Sequence, residues 1–313
     1  MPEIGKSGIK VSSLCLGGNV FGWTADEAAS FAVLDVFLDA GMNFIDTADT
    51  YARWQPGSTG GDSERVLGKW MKQRGNRQRV VLATKVGKEM GPGKIGLSAK
   101  YITQEVEESL QRLQSDYIDL YQSHEDDKNT PLEETMQTFA KLIEQGKVRA
   151  IGASNFGPER LEESLRVSRE LGLPRYESLQ PHYNLMERAV FEATLEPVCV
   201  AHNLAVLPYW SLASGFLTGK YRTEADLSKS ERGSAAGKYL NDRGRKVLAV
   251  LDEVAAAHTS TPASIALAWL LAKPSVTSPI ASATSVEQLQ DLLKSVAIEL
   301  KPDEVKKLDT ASA

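Results

Sequence analysis

A chain of 313 residues, 42% hydrophobic and 25% charged, can bury one large core or two modest ones and has the composition of a soluble globular protein. Its formal net charge of −5 offers no basic field, which argues against nucleic acid or an anionic membrane as partner. Cys15 and Cys199 stand alone in apolar segments, and neither a signal-peptide pattern nor a membrane-length apolar run is present, so no metal site is expected and the expected location is the cytoplasm.

In chain order, "PEIGKSGIKV" predicts a small N-terminal hairpin. Strands rich in Val, Ile, Leu and Tyr follow: "SLCLGG" near residue 15, "NFIDTA" near 45 and "VVLATKV" near 83. A helix is expected over 98–113, opened by Ser98 and carrying Ile102, Val106, Leu110 and Leu113 on one stripe. After the strand "YIDLYQSH" near 120, a helix with Pro131 in its first turn should stop at Gly146. The strand "VRAIGASN" near 151 leads to a helix containing Leu161 and Leu165, closed by "LGLP" at 171–174. "ESLQPHYN" near 180 and "LAVLPYW" near 207 are further strands. The polar, glycine-rich stretch 214–243 is too long for an ordinary connection and reads as a mobile loop over the active face, before a last strand, "VTSPIASA", near 280. Eight strand–helix units point to an α/β protein, a (β/α)8 TIM barrel in one domain spanning 1–313, rather than an open doubly wound sheet.

Chemistry in such a barrel gathers where strands end. Those ends carry Asp46 and Tyr51, Lys85, His124, Ser154 with Asn155, Gln180, and Tyr209. Each has a plainer reading: Lys85 as a lysine reaching the rim, His124 as a structural histidine, the polar rest as strand terminators. Asp49, in the loop, reads as a solvated turn acid. "GPGKIG" at 91–96 matches a dinucleotide fingerprint, but Pro92 and a separate helix start at Ser98 make it a decoy. "GSTGG" at 57–61 reads as a flexible loop. A better phosphate candidate is "SATSVEQLQDLL" at 282–293, although Ser285 and Gln288 also have capping-box spacing.

The motifs "GMNFIDTADTY", "ATKVG", "YIDLYQSH", "LIEQGKVRAIGASNF" and "PIASATSVEQL" together resemble, in order and spacing, those of the aldo-keto reductase superfamily. The resemblance implies a catalytic tetrad of Asp46, Tyr51, Lys85 and His124. It also implies nicotinamide contacts at Ser154, Asn155, Gln180 and Tyr209, with Ser211, Leu212, Lys220, Ser282, Thr284, Gln288 and Asp291 as further cofactor-binding positions. NADPH is the implied cofactor, with NADH left open because Ser282, Thr284 and Gln288 stand where several members carry lysine or arginine. Further departures are Glu125, Asp126 and Asp127 after the histidine, and Trp210 and Ser211 where serine and proline are common.

The expected reaction is hydride transfer to an aldehyde, ketone or dicarbonyl, with Tyr51 as general acid, Lys85 drawing its phenol pKa downward and His124 orienting the carbonyl. Trp23 and Trp54 are expected to wall the substrate site, and Glu125 with its neighbours to repel anionic substrates. Two other readings remain: a cofactor-binding regulatory subunit resembling potassium-channel β subunits, and a Schiff-base lyase using Lys85. Substrate, direction and oligomeric state are left open.

Overall fold

In the computed structural model, which describes residues 1–313, the apolar runs become parallel strands because both faces of each are covered, one by the barrel interior and one by helices. The strands are β1 Cys15–Gly17, β2 Phe44–Asp46, β3 Val81–Val86, β4 Ile118–Ser123, β5 Val148–Ser154, β6 Tyr176–Gln180, β7 Ala205–Val206 and β8 Ile280–Ala281. Their order, β7-β6-β5-β4-β3-β2-β1-β8, is that of a barrel opened on paper between β7 and β8. The ring closes there through individual bonds: Thr277 N–H donates to the Val206 carbonyl and Ile280 N–H to that of Pro208, each at 2.9 Å. The fold is the expected (β/α)8 barrel.

The predicted hairpin plugs the barrel floor. Ile4, Ile9 and Val11 pack with Phe44, Leu120 and Leu207 in a core separate from the larger one between strands and helices.

The helices are α1 Glu27–Asp39, α2 Asp62–Arg74, α3 Ala99–Leu113, α4 Leu132–Glu144, α5 Pro158–Leu171, α6 Glu196–His202, α7 Gly233–Ala236, α8 Asp242–Ala257, α9 Pro262–Leu271, α10 Val286–Lys294 and α11 Pro302–Ser312. Ser98 caps α3 as expected, its side chain accepting from Tyr101 N–H at 3.3 Å, and Gly172 closes α5 with φ +64°. Pro131 stands one residue before α4, as its N-cap, where its fixed φ of −57° leads into the helix. No single helix is long and apolar enough to cross a membrane.

Two glycine-bearing stretches carry local structure of their own. "GSTGG" is not loose: Gly61 caps α2 at φ +74°, and a Cβ there would lie 2.7 Å from Arg112 Nε. Stretch 214–243 is folded into 3-10 turns at Glu224–Lys229 and Gly237–Tyr239 and the short α7. It is tied down by Arg222 to Asp252 and Lys238 to Glu187, at 2.8 and 2.9 Å.

Helices α2 and α3 meet at Gly68, where a methyl would press on the Arg112 carbonyl and stand 2.7 Å from the Leu113 carbonyl carbon. Backbone cannot swing aside as a side chain can. Gly68→Ala should therefore destabilise the protein by about 1–3 kcal/mol, outweighing alanine's helix preference. Denaturant unfolding would measure it, and an unchanged or raised midpoint would contradict the close approach.

Candidate active site

The end of β2 places Asp46 and the following turn brings back Tyr51, while β3 delivers Lys85 from the neighbouring strand. Lys85 is fully buried and does not reach the rim. Its three ammonium protons are all committed, to Asp46 Oδ2 at 2.6 Å, the Thr47 carbonyl at 2.8 Å and Tyr51 Oη at 2.9 Å. Held as an ammonium by these three acceptors, it has no lone pair for Schiff-base attack. Asp46, 1% exposed, is satisfied on both oxygens: Oδ2 also accepts from Tyr51 Oη at 3.3 Å, and Oδ1 accepts from Gln180 Nε2 at 2.9 Å and Gln122 Nε2 at 3.2 Å. A buried ion pair is stable only with its remaining valences met in this way.

Gln122 was missed in the sequence. It pairs in register with Lys85 and lies in inward alternation with Leu120, which is the signal that would have found it.

Burial lowers the Lys85 ammonium below the usual lysine range, with Asp46 opposing. The expectation that Tyr51 would be drawn down is corrected: burial, then the Asp46 charge and hydrogen bond, push the phenol well above its ordinary value. Tyr51 therefore holds its proton. His124, its ring 6.2 Å from that of Tyr51, is kept well below the ordinary histidine range by burial and by Lys85 and Lys88, so its imidazole is neutral; Nδ1 has no partner.

A cavity of about 1410 Å³ opens above these groups, more than a single drug-sized ligand fills. Asp46, Tyr51 and His124 form part of its floor, and Lys85 lies beneath. Ser154 Oγ donates to the Gln180 carbonyl at 3.0 Å. Asn155, at φ +57°, donates from Nδ2 to the His124 carbonyl at 2.8 Å and accepts from Tyr209 Oη at 2.9 Å. The Tyr209 ring is stacked on His182 with centroids 5.3 Å apart. Ser211, Leu212 and Lys220 line the same cavity from the β7 side; Ser211 Oγ donates to the Pro208 carbonyl at 3.0 Å and Lys220 sits over the Tyr221 ring.

Ser282, Thr284, Gln288 and Asp291 line it from β8 and α10. The capping box there is only half made. Ser285 accepts from Gln288 N–H, but Gln288 Oε1 turns to Thr284, accepting from its N–H at 3.0 Å and its hydroxyl at 3.1 Å. Ser282 donates to Asn19 at 2.7 Å, and Asp291 pairs with Lys294 at 2.6 Å.

Trp23 and Trp54 meet edge to face at 5.3 Å and both line the cavity, with Trp54 half exposed and 6.2 Å from Tyr51. Of the three acids after His124, only Glu125 lines it. Asp126 is paired with Arg160 at 2.9 Å, and Asp127 accepts from Leu97 N–H and Thr130 Oγ1 at 2.8 and 2.7 Å. The group repulsion expected of these acids is thus reduced to one residue.

Two groups overturn or escape the sequence reading. Asp49 is no solvated turn acid: it is fully buried, accepts from Thr50 N–H at 2.6 Å on Oδ1, and leaves Oδ2 unpartnered. Burial, then Glu64 and Glu105, push it well above the ordinary carboxylate range. Arg232 enters the cavity over the Trp23 ring, 5.6 Å from its centroid, with Nη2 buried and unpartnered. Nothing in the polar stretch 214–243 marks which of its cations points inward. Unpaired guanidinium donors in a cavity of this size suit the phosphates of a dinucleotide.

Residues 13–313 match the Aldo/keto reductase family. The chain is 36% identical over 315 residues to the "Uncharacterized oxidoreductase YrpG" of Bacillus subtilis (strain 168), covering 98% of this chain and 94% of that protein. It is 33% identical over 320 residues to a norsolorinic acid reductase of Aspergillus flavus, covering 97% and 79%. A probable voltage-gated potassium channel subunit beta of Arabidopsis thaliana is 32% identical over 304 residues, covering 95% and 90%.

Proposed function

Because the chain belongs to the aldo/keto reductase family and is an oxidoreductase by that membership, we propose that it reduces the carbonyl carbon of an aldehyde, ketone or dicarbonyl, with NADPH as cofactor and Tyr51 as general acid. One observation carries this reading: the Lys85 ammonium, fully buried, donates at once to Asp46 and to the Tyr51 phenol at the floor of the cavity.

When bound, the nicotinamide supplies hydride, and the proton comes from the protein. Tyr51 holds that proton because desolvation at the cavity floor and the Asp46 charge both disfavour the phenolate. As the proton leaves for the developing alkoxide, the charge left on Oη falls on an ammonium already 2.9 Å away, so little reorganisation is needed. Neutral His124 orients the carbonyl oxygen without competing as an acid. Ser154, Asn155 and Gln180 would hold the carboxamide, with Gln180 Nε2 committed to Asp46 and Oε1 left to accept. Tyr209, fixed against His182, bounds the ring. Trp23 and Trp54 form the apolar wall, and Glu125 disfavours anionic substrates near the mouth.

Arg232 and Lys220 supply the cations that the segment 282–293 lacks. Arg232→Met should raise the dinucleotide Kd about tenfold or more while leaving thermal stability intact, since no acid pairs with this guanidinium. Titration with NADPH and NADH by tryptophan fluorescence, then an aldehyde panel with the tighter cofactor, tests the whole reading. Failure of both dinucleotides to bind would end it. Binding without turnover would favour a regulatory subunit, the reading suggested by similarity to the potassium-channel relative.

A further inference from the structure

Behind the tetrad, between β2–β4 and helices α2 and α3, lies a second polar cluster that the proposed chemistry does not use. Arg112 is its cation. Its Nε donates to Glu64 Oε2 at 2.6 Å, and its Nη2 donates to Glu105 and to Ser109 Oγ, the latter at 3.0 Å. Glu64 is completed by Thr84 Oγ1 at 2.6 Å. Asp49 receives no cation, only the Thr50 N–H. Of three fully buried carboxyl groups, Glu64 and Glu105 share one guanidinium and Asp49 is left without it.

A buried, uncompensated carboxylate is costly, and a carboxyl group so placed keeps its proton. Four side-chain atoms around it have no partner: Asp49 Oδ2, Glu105 Oε2, Tyr101 Oη and Tyr121 Oη, on side chains between 0 and 3% exposed. Tyr101 and Glu105 stand four residues apart on one buried face of α3, and both phenols lie within electrostatic reach of Asp49 and Glu105. Two phenols and two carboxyl oxygens are a complementary set for a water molecule, which needs two to four polar partners. The carboxylates do not converge as metal ligands.

Asp49 also holds the backbone of the reacting groups. Its side chain accepts from Thr50 N–H, one residue before Tyr51, and its own N–H is directed at the Lys85 carbonyl at 3.4 Å. We propose that Asp49 is a positioning residue that works as a neutral acid, enclosing a buried water with Tyr101, Glu105 and Tyr121, and that this closed chamber presents Tyr51 to the carbonyl. The presentation rests on the function proposed above; the chamber stands without it.

The test compares wild type, Asp49→Asn, Asp49→Leu and Tyr121→Phe. Infrared difference spectra should show a protonated-carboxyl stretch in wild type that is absent in Asp49→Asn and shifted in Tyr121→Phe. With NADPH and an aldehyde, Asp49→Asn should keep kcat near wild type, while Asp49→Leu should lose about 10²-fold in kcat with dinucleotide Kd unchanged. Stability adds a third arm. An acid with a raised folded-state pKa stabilises the fold below the unfolded carboxylate value of about 4, and that contribution is lost as pH rises toward the folded value. Glu64 from α2, Tyr101, Glu105, Glu108 and Arg112 from α3, and Tyr121 from β4 also face the cluster, so the readout is the wild-type minus Asp49→Asn difference, which should fall with rising pH.

No carboxyl band, a difference that rises with pH, equal kcat losses in the Asn and Leu variants, or full kcat in Asp49→Leu would each overturn the proposal. If Asp49→Leu does not fold, Tyr121→Phe and the Asn variant decide through the band and the stability slope. A wild type without turnover would defeat the proposed function, whereas a missing band would defeat the chamber whatever the turnover.

Discussion

Tyr51→Phe should lower kcat for carbonyl reduction by about 10²–10⁴-fold, the usual worth of a positioned general acid, while leaving dinucleotide affinity unchanged. The split follows from what the phenol touches. Its oxygen meets only Lys85 and Asp46, and its ring packs edge-on toward His124, so deleting the oxygen removes a proton from the reaction but little from the cavity wall. Lys85 keeps Asp46 and the Thr47 carbonyl as acceptors and remains 4.7 Å from the ring centroid, which limits the folding cost to about 1 kcal/mol. Single-turnover kinetics beside fluorescence titration would separate chemistry from binding, and unchanged turnover would remove Tyr51 from its role. The wild-type profile carries a matching signature. With the phenol held well above its ordinary value of about 10, kcat for reduction should show no loss through Tyr51 deprotonation anywhere near neutrality.

Why the sequence disclosed the floor of this site and concealed its back is a matter of strand geometry. Asp46, Lys85 and His124 stand at the ends of apolar runs, and a parallel barrel gathers such positions at one end, so their meeting follows from topology alone. Gln122 belongs to the same inward set but sits inside its run, where one polar residue looks like an interruption. Asp49 shows the opposite error. It lies in the loop after its strand, which suggested solvent, yet α2 and α3 close over the turn and bury it completely. Burial by distant elements leaves no local trace. Arg232 was hidden for another reason: stretch 214–243 contains several cations, and only the fold of its short turns decides that Arg222 faces Asp252 while Arg232 faces Trp23. The pKa expectation for Tyr51 failed because it counted the lysine and omitted the burial and the acid on the other side of the same phenol.

Lys85→Met should be the most damaging single change in the barrel. Asp46, 1% exposed, would lose its only cation while Gln122 and Gln180 remain, and leaving one member of a buried pair costs about 3–5 kcal/mol. Activity should fall as well, because the charge left on Tyr51 Oη would no longer meet an ammonium. Instability alone would also abolish activity, so the single variant cannot separate the two effects. The double variant Asp46→Asn with Lys85→Met does. Replacing both members removes the stranded charge, and such replacements are often neutral, so most of the lost stability should return. The lost activity should not, since neither asparagine nor methionine carries a positive charge to meet the phenolate. Chemical denaturation and kcat measured on wild type, Asp46→Asn, Lys85→Met and the double variant would form the cycle. If activity returned together with stability, the pair would be structural only, and the proton-transfer role given to the Lys85–Tyr51 contact would have to be abandoned.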